Sequence, residues 1–150
     1  MREPKSFLVP SFWFLVFGER ISREVGISFP ENMKMATIVR FEDLDARKIA
    51  RELTRDIYRI TSAERFSRDY DLKCQIRKAS VSIMSNVAEG FERDGNKEFR
   101  NFLSIGKGSA GEVRSQLYVA LDQNYVSREE FDFLYDKARQ SGMVIAGFSR

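Results

Sequence analysis

From Phe41 onward, apolar residues recur at alternating steps of three and four, the spacing of a helix with one buried face, and the pattern appears four times. In the first segment the stripe is Ala46, Ile49, Ala50, Leu53, Ile57 and Ile60. In the second it runs Leu72, Ile76, Ala79 and Ile83, then passes through Asn86 and Gly90, with Ser67 as the candidate N-cap. The third reads Phe99, Leu103, Gly106, Ala110, Val113, Leu117 and Ala120, with Asn96 as its candidate cap. The fourth opens on "SREE", where Ser127 and Glu130 have capping-box spacing, and continues through Phe131, Leu134, Tyr135, Ala138 and Ile145. No segment alternates with period two, and no proline follows Pro30. Connections of about 4 to 8 residues favour antiparallel neighbours. The pattern therefore predicts an all-α, antiparallel up-down-up-down four-helix bundle over residues 41–150.

Residues 1–40 do not share this period. The apolar stretch "FLVPSFWFLVF", residues 7–17, is broken by Pro10 and falls short of the roughly 20 residues that span a bilayer. Arg2 and Lys5 resemble the basic start of a signal peptide, yet no convincing small-x-small cleavage site follows and Gly18 to Pro30 is mixed and polar. We read 1–40 as an irregular or disordered leader outside the bundle. Met33 and Met35 stand just ahead of the periodic region, so translation starting there is one expectation; a tail whose apolar patch docks on a partner is the alternative.

The third segment contains Gly106-Lys107-Gly108-Ser109-Ala110-Gly111, which fits G-x-G-x-x-G. A dinucleotide-binding loop needs a strand entering the first glycine and a helix leaving the last. Here "EFRNFLSI" before and "EVRSQLYVAL" after share one helical phase, so the sequence predicts that the glycines lie inside a helix. Interior glycines each cost about 1 kcal/mol relative to alanine. Close approach of a bundle partner on one face and of a second subunit on another is the expected compensation, assigning Gly90, Gly106, Gly108 and Gly111 to close packing. "GFERDGNK", residues 90–97, misses the Walker pattern, with Asn96 where the lysine belongs.

Beside Ile83 and Val87 runs a polar stripe, Ser82, Ser85, Asn86 and Glu89, and the third segment offers Ser104, Ser109, Glu112 and Gln116 at similar spacing. Polar groups on a core edge must find partners or cost on the order of 1–3 kcal/mol. Ser82, Ser85, Asn86, Glu89, Ser109 and Glu112 are expected to form hydrogen bonds between helices or subunits rather than a ligand site. Glu89 and Glu112 lack the histidine or aspartate partners that acid–base or metal chemistry would call for.

Composition narrows the chemistry further. The chain has no histidine and one cysteine, Cys74. That removes Ser-His-Asp and Cys-His nucleophiles, the common zinc sets and Glu-x-x-His di-iron sites, so no catalytic residue, metal or cofactor is expected. A lone thiol excludes an internal disulfide and fits a reducing cytoplasm. The net charge is only +3, but it is unevenly spread. Residues 47–78 hold ten Lys/Arg against five acids, whereas 122–136 hold five acids and one arginine. This asymmetry points to an anion-facing side, with an ordinary solvated helix surface as the alternative.

"DLKCQIRKASVSIMSNVAEGFERDGNKEFRNFLSIGKGSAGEVRSQL" resembles the four-helix-bundle family known from open reading frames in intervening sequences of bacterial 23S ribosomal RNA genes. The family motifs, approximately QIRRA-x-SI-x-SNIAEG and KEF-x-x-FL-x-IA-x-GS-x-x-E, appear as Gln75-Ile76-Arg77-Lys78-Ala79, Ser82-Ile83, Ser85 to Gly90, Lys97-Glu98-Phe99, Phe102-Leu103, Ile105, Gly108-Ser109 and Glu112. The likeness covers residues 41–126 well and the last helix weakly, and it leaves the leader unmatched. Gly106 and Gly111 depart from the usual alanine and larger residue. The resemblance implies a cytoplasmic, non-enzymatic bundle assembling as a ring-like homopentamer. A relative in the same superfamily, the accessory variability protein of diversity-generating retroelements, binds nucleic acid and a reverse transcriptase.

The charges agree with that direction. Arg77, Lys78, Arg93, Lys97, Arg100 and Lys107 lie on or between the two central helices and are the expected RNA or DNA contacts, through phosphate electrostatics. Tyr70, Phe66 and Phe91 are candidates to stack bases, although aromatic residues at such spacings more often pack a core. The sequence thus reads as an oligomeric RNA-binding accessory protein with no membrane partner. A structural or protein-binding bundle that recruits a partner through its acidic last helix is the alternative.

Overall fold

The computed structural model describes residues 40–93 and 95–148. The leader and its start-site and apolar-patch expectations lie outside the described residues, Arg40 apart. A single 3-10 turn, Phe41–Asp43, leads into five helices: α1 Asp45–Ile60, α2 Glu64–Arg68, α3 Tyr70–Glu92, α4 Asn96–Asp122 and α5 Arg128–Phe148. No strand occurs among the described residues. The four long helices pack as a bundle in which α3 and α4 both touch neighbours on two sides, α1 with α5 completing the circuit.

The apolar stripes form the core they predict. Leu53 and Ile57 of α1, Ile76 and Ile83 of α3, Leu103 and Leu117 of α4, and Leu134 and Ile145 of α5 are fully buried. Each such side chain contributes about 1.5–3 kcal/mol on leaving water. Ile49, Leu72 and Tyr135 sit at the rim, packed against the cluster. Phe66 and Phe91, considered above as base-stacking candidates, are instead core residues. Phe66 stacks on Tyr125 with centroids 4.9 Å apart, so α2 closes that end of the bundle. Tyr70 alone of the three is open, at 69% exposure.

Helix ends differ from expectation at two of three caps. Ser67 lies inside α2, where its hydroxyl donates to the Glu64 carbonyl at 2.8 Å. Asp69 caps α3 in its place, accepting the Leu72 N–H at 3.0 Å. Asn96 is the first residue of α4 rather than its cap. That position falls to Gly95 at φ 109°, a left-handed conformation open to glycine and strained for other residues. The Ser127–Glu130 capping box is present in both directions at 3.1 Å. The connections also differ: residues 93–95 join α3 to α4, residues 123–127 join α4 to α5, and the first link carries α2 within it.

Polar ties fix the helices laterally. Thr54 of α1 donates to the Ala50 and Ser80 carbonyls at 2.8 and 3.0 Å, which brings α1 against α3. Lys137 of α5 reaches Asp56 at 2.6 Å and Glu52 at 3.5 Å on α1.

Gly106 to Gly111 lies in the middle of α4. A helical backbone spends its N–H groups on carbonyls four residues earlier, so this hexamer has no free amides with which to cradle a phosphate.

Candidate nucleic-acid interface

The α1 sequence "DARKIARELTRDIYRI" buries Ala46, Ala50, Leu53 and Ile57, which leaves Arg47, Arg51 and Arg55 four residues apart on the outward side. Arg51 and Arg55 are exposed and have no ion pair among the described residues. Arg47 lies against the Phe41 ring at 5.6 Å, and Lys48 pairs with Asp45 at 3.2 Å. Together with Glu52 these side chains line a shallow basin of about 480 Å³. Glu52 also points toward Lys137, so it is shared with α5. One turn beyond Arg55, half-exposed Tyr58 carries Arg77 of α3 on its ring at 4.4 Å. The row from Arg47 to Tyr58 spans about 16 Å of helix.

Arg77 is held tightly. Its Nε donates to Thr61 Oγ1 at 2.7 Å, and Nη2 donates to Ser62 Oγ at 3.1 Å and the Tyr58 carbonyl at 3.4 Å. A cation at the carboxyl end of α1 meets the unpaired carbonyls there, which favours this placement. Lys78 beside it is exposed.

The six cations expected to contact nucleic acid do not form one patch. Arg77 and Lys78 lie about two turns into α3, whereas Arg93, Lys97 and Arg100 gather where α3 gives way to α4. The helix rise from 78 to 93 separates the groups by about 22 Å. Arg93 bonds Glu89 at 2.7 Å, which raises its guanidinium above the ordinary range, and it also lies 5.4 Å from the Phe102 ring. Lys97, Arg100 and Lys107 are exposed on α4, Lys107 at the groove toward α5.

The polar stripe resolves into a directed chain of hydrogen bonds. Asn86 Nδ2 donates to Ser82 Oγ at 3.0 Å and to the Ser82 carbonyl at 2.8 Å. Ser82 and Ser109 hydroxyls meet at 2.8 Å across α3 and α4, and Ser109 donates to the Ile105 carbonyl at 3.2 Å. With Ser109's proton used on Ile105, Ser82 must donate to Ser109. Glu89 is taken by Arg93, while Ser85 and Glu112 are exposed and stand outside the chain.

Gly90 is sterically closed: a Cβ there would stand 2.8 Å from Phe102 Cβ and 3.3 Å from the Phe99 carbonyl. Gly106 is buried against Asn86 and Ile83, but a Cβ would meet them at an ordinary 3.5 Å. At Gly108 none of the described residues comes within 4 Å of an added Cβ. Gly111 has only the Arg114 guanidinium nearby, at 3.8 Å. Within the described residues another helix stands within 4 Å of a Cβ on Gly90 or Gly106, and none does so at Gly108 or Gly111.

Sequence reasoning passed over Arg47, Arg51 and Arg55 as site residues. Their signal was already present in the ten-to-five charge surplus, read with a spacing of four opposite the buried stripe.

A family model described as 23S rRNA-intervening sequence protein matches residues 42–147. The chain belongs to this family. The match extends through α5, which the motifs alone covered weakly. No curated protein matches the chain. The description of the 23S rRNA-intervening sequence proteins names no catalytic activity. Among the described residues no group of His, Cys, Asp or Glu is placed to hold a metal ion. None of the described helices is long and apolar enough to cross a membrane.

Proposed function

We propose that this 23S rRNA-intervening sequence protein is a non-enzymatic, homo-oligomeric bundle of the cytoplasm that binds RNA as an accessory protein. Residues 41–150 act as one unit, separate from the leader. The observation that carries the RNA reading is the α1 row: Arg51 and Arg55 are exposed without a carboxylate partner among the described residues, flanked by Arg47 and Lys48 in one basin. Cations without internal partners are free to displace counterions from phosphate, the main source of sequence-tolerant affinity. Lys78 extends this surface onto α3, so the face of α1 takes the leading place expected above of the central helices.

The four long helices alternate in direction. Support comes from the paired residues, whose numbers run oppositely: Ser82 with Ser109 and Asn86 with Gly106 between α3 and α4, Thr54 with Ser80 and Thr61 with Arg77 between α1 and α3. Assembly into a ring of five uses the outward face of α3 and α4. Val81, Ile105 and Val119 are exposed there, Ile105 at 54%, and Gly108 leaves room for a neighbouring backbone.

A gel mobility shift with a mixed-sequence RNA hairpin at about 50 mM salt tests the reading. Binding by the native chain that is lost in the Arg51→Glu, Arg55→Glu double variant supports it. No shift by the native chain, or one unchanged in the variant, rejects it.

The second reading, a protein-binding bundle, has support in α5. Phe133 is 53% exposed there among acidic residues, and Glu129 has no ion-pair partner among the described residues. Affinity purification that yields a polypeptide and no nucleic acid would favour it.

A further inference from the structure

The outer side of the α4–α5 seam holds a groove of about 290 Å³, near the lower limit for small-molecule sites. Its floor is shallow because the seam is made of small residues: a Cβ on Gly142 would touch Ala110 Cβ at 3.8 Å. Its walls carry three cations, Lys107 and Arg114 from α4 and Arg139 from α5, with the Met143 thioether between them. Arg114 is the unusual member. Its guanidinium lies back along α4 beside Gly111, at 5.8 Å from the Tyr135 ring, and its Nε is buried with no acceptor among the described residues. Gly111 therefore serves this arginine rather than a helix neighbour. Lys107 is exposed and has no ion pair among the described residues. Arg139 is partly neutralised, since Asp136 accepts from its Nε at 3.3 Å, and its Nη1 meets Met143 Sδ at 3.7 Å.

An arginine keeps its charge under all ordinary conditions, so three cations on one groove with a single carboxylate, Asp136, beside them leave a positive surplus that an oxyanion would offset. Guanidinium and ammonium groups lining a groove whose floor is Ala110, Ala138 and Gly142 suit a phosphate attached to a flat, weakly polar ring. We infer that the α4–α5 groove binds a nucleoside monophosphate, the phosphate held by Arg114, Lys107 and Arg139 and the base lying on the Ala/Gly floor beside Met143. The groove shares no residue with the α1 row, so this site stands or falls separately from the RNA face.

Isothermal titration of the full chain with AMP, inorganic phosphate and adenosine tests the site. The expected result is AMP binding at least about tenfold tighter than either fragment. Arg114→Gln and Lys107→Gln should each weaken AMP by about fivefold or more, with Arg51→Glu/Arg55→Glu unchanged. Should Arg114→Gln fail to fold by circular dichroism, the exposed Lys107→Gln decides. AMP bound no tighter than phosphate or adenosine, or bound equally by native chain and the folded variants, overturns the inference.

Discussion

Arg77 and Thr61 meet at 2.7 Å, and that bond makes an α3 cation part of the carboxyl end of α1. The same guanidinium covers the Tyr58 ring and reaches Ser62. Replacing Arg77 by glutamine should lower unfolding free energy by about 1–2 kcal/mol through the lost charged hydrogen bonds and ring contact. Lys78→Gln, one residue away and exposed, should change it by less than about 0.5 kcal/mol. Urea unfolding of both variants checks the contrast, and equal stabilities would contradict the clamp. A loss of RNA binding in an Arg77 variant is consequently interpretable only beside its unfolding curve.

Gly90 and Gly106 should respond oppositely to alanine. At Gly90 a methyl group meets Phe102 Cβ and backbone, so the helices must part, at a cost of about 1–3 kcal/mol. At Gly106 the methyl reaches only van der Waals contact, and the gain in helix propensity should stabilise by about 1 kcal/mol. Thermal unfolding of Gly90→Ala and Gly106→Ala measures both signs.

Much of this fold was legible in the sequence because its four stripes keep one period without interruption. Ala46 to Ile60, Phe99 to Ala120 and the Ser127–Glu130 box needed only spacing to be placed. What spacing could not supply were choices between near-equivalent partners. Ser67 and Asp69 are both capping residues, and the extra turn of α2, set by the burial of Phe66, gives the role to Asp69. The glycines looked alike in sequence, yet the facing side chain separates them, Phe102 opposite Gly90 and none of the described residues opposite Gly108. The cations were legible as a surplus but not as a surface. Pairing decides which are free, and it removes Arg93 through Glu89 and fixes Arg77, while Arg51 and Arg55 stay open.

Lys137 ties α5 to α1 in a partly dry setting, with side-chain exposures of 18% for Lys137 and 12% for Asp56. Lys137→Met leaves the Asp56 carboxylate without its cation and should cost about 1–3 kcal/mol at neutral pH. Adding Asp56→Leu removes the stranded charge and should recover most of the loss. A double-mutant cycle by urea unfolding gives the coupling; additive losses would show that the pair is not coupled.

Under the proposed function, the unpaired Arg51 and Arg55 of α1 contact phosphate. The most direct measurement of that contact is the slope of log affinity against log salt for an RNA hairpin, taken by fluorescence anisotropy on the native chain and on Arg51→Gln/Arg55→Gln. Two lost phosphate contacts should make the slope shallower by about 1.5 with the unfolding curve unchanged. Identical slopes and affinities for the two proteins would contradict the claim.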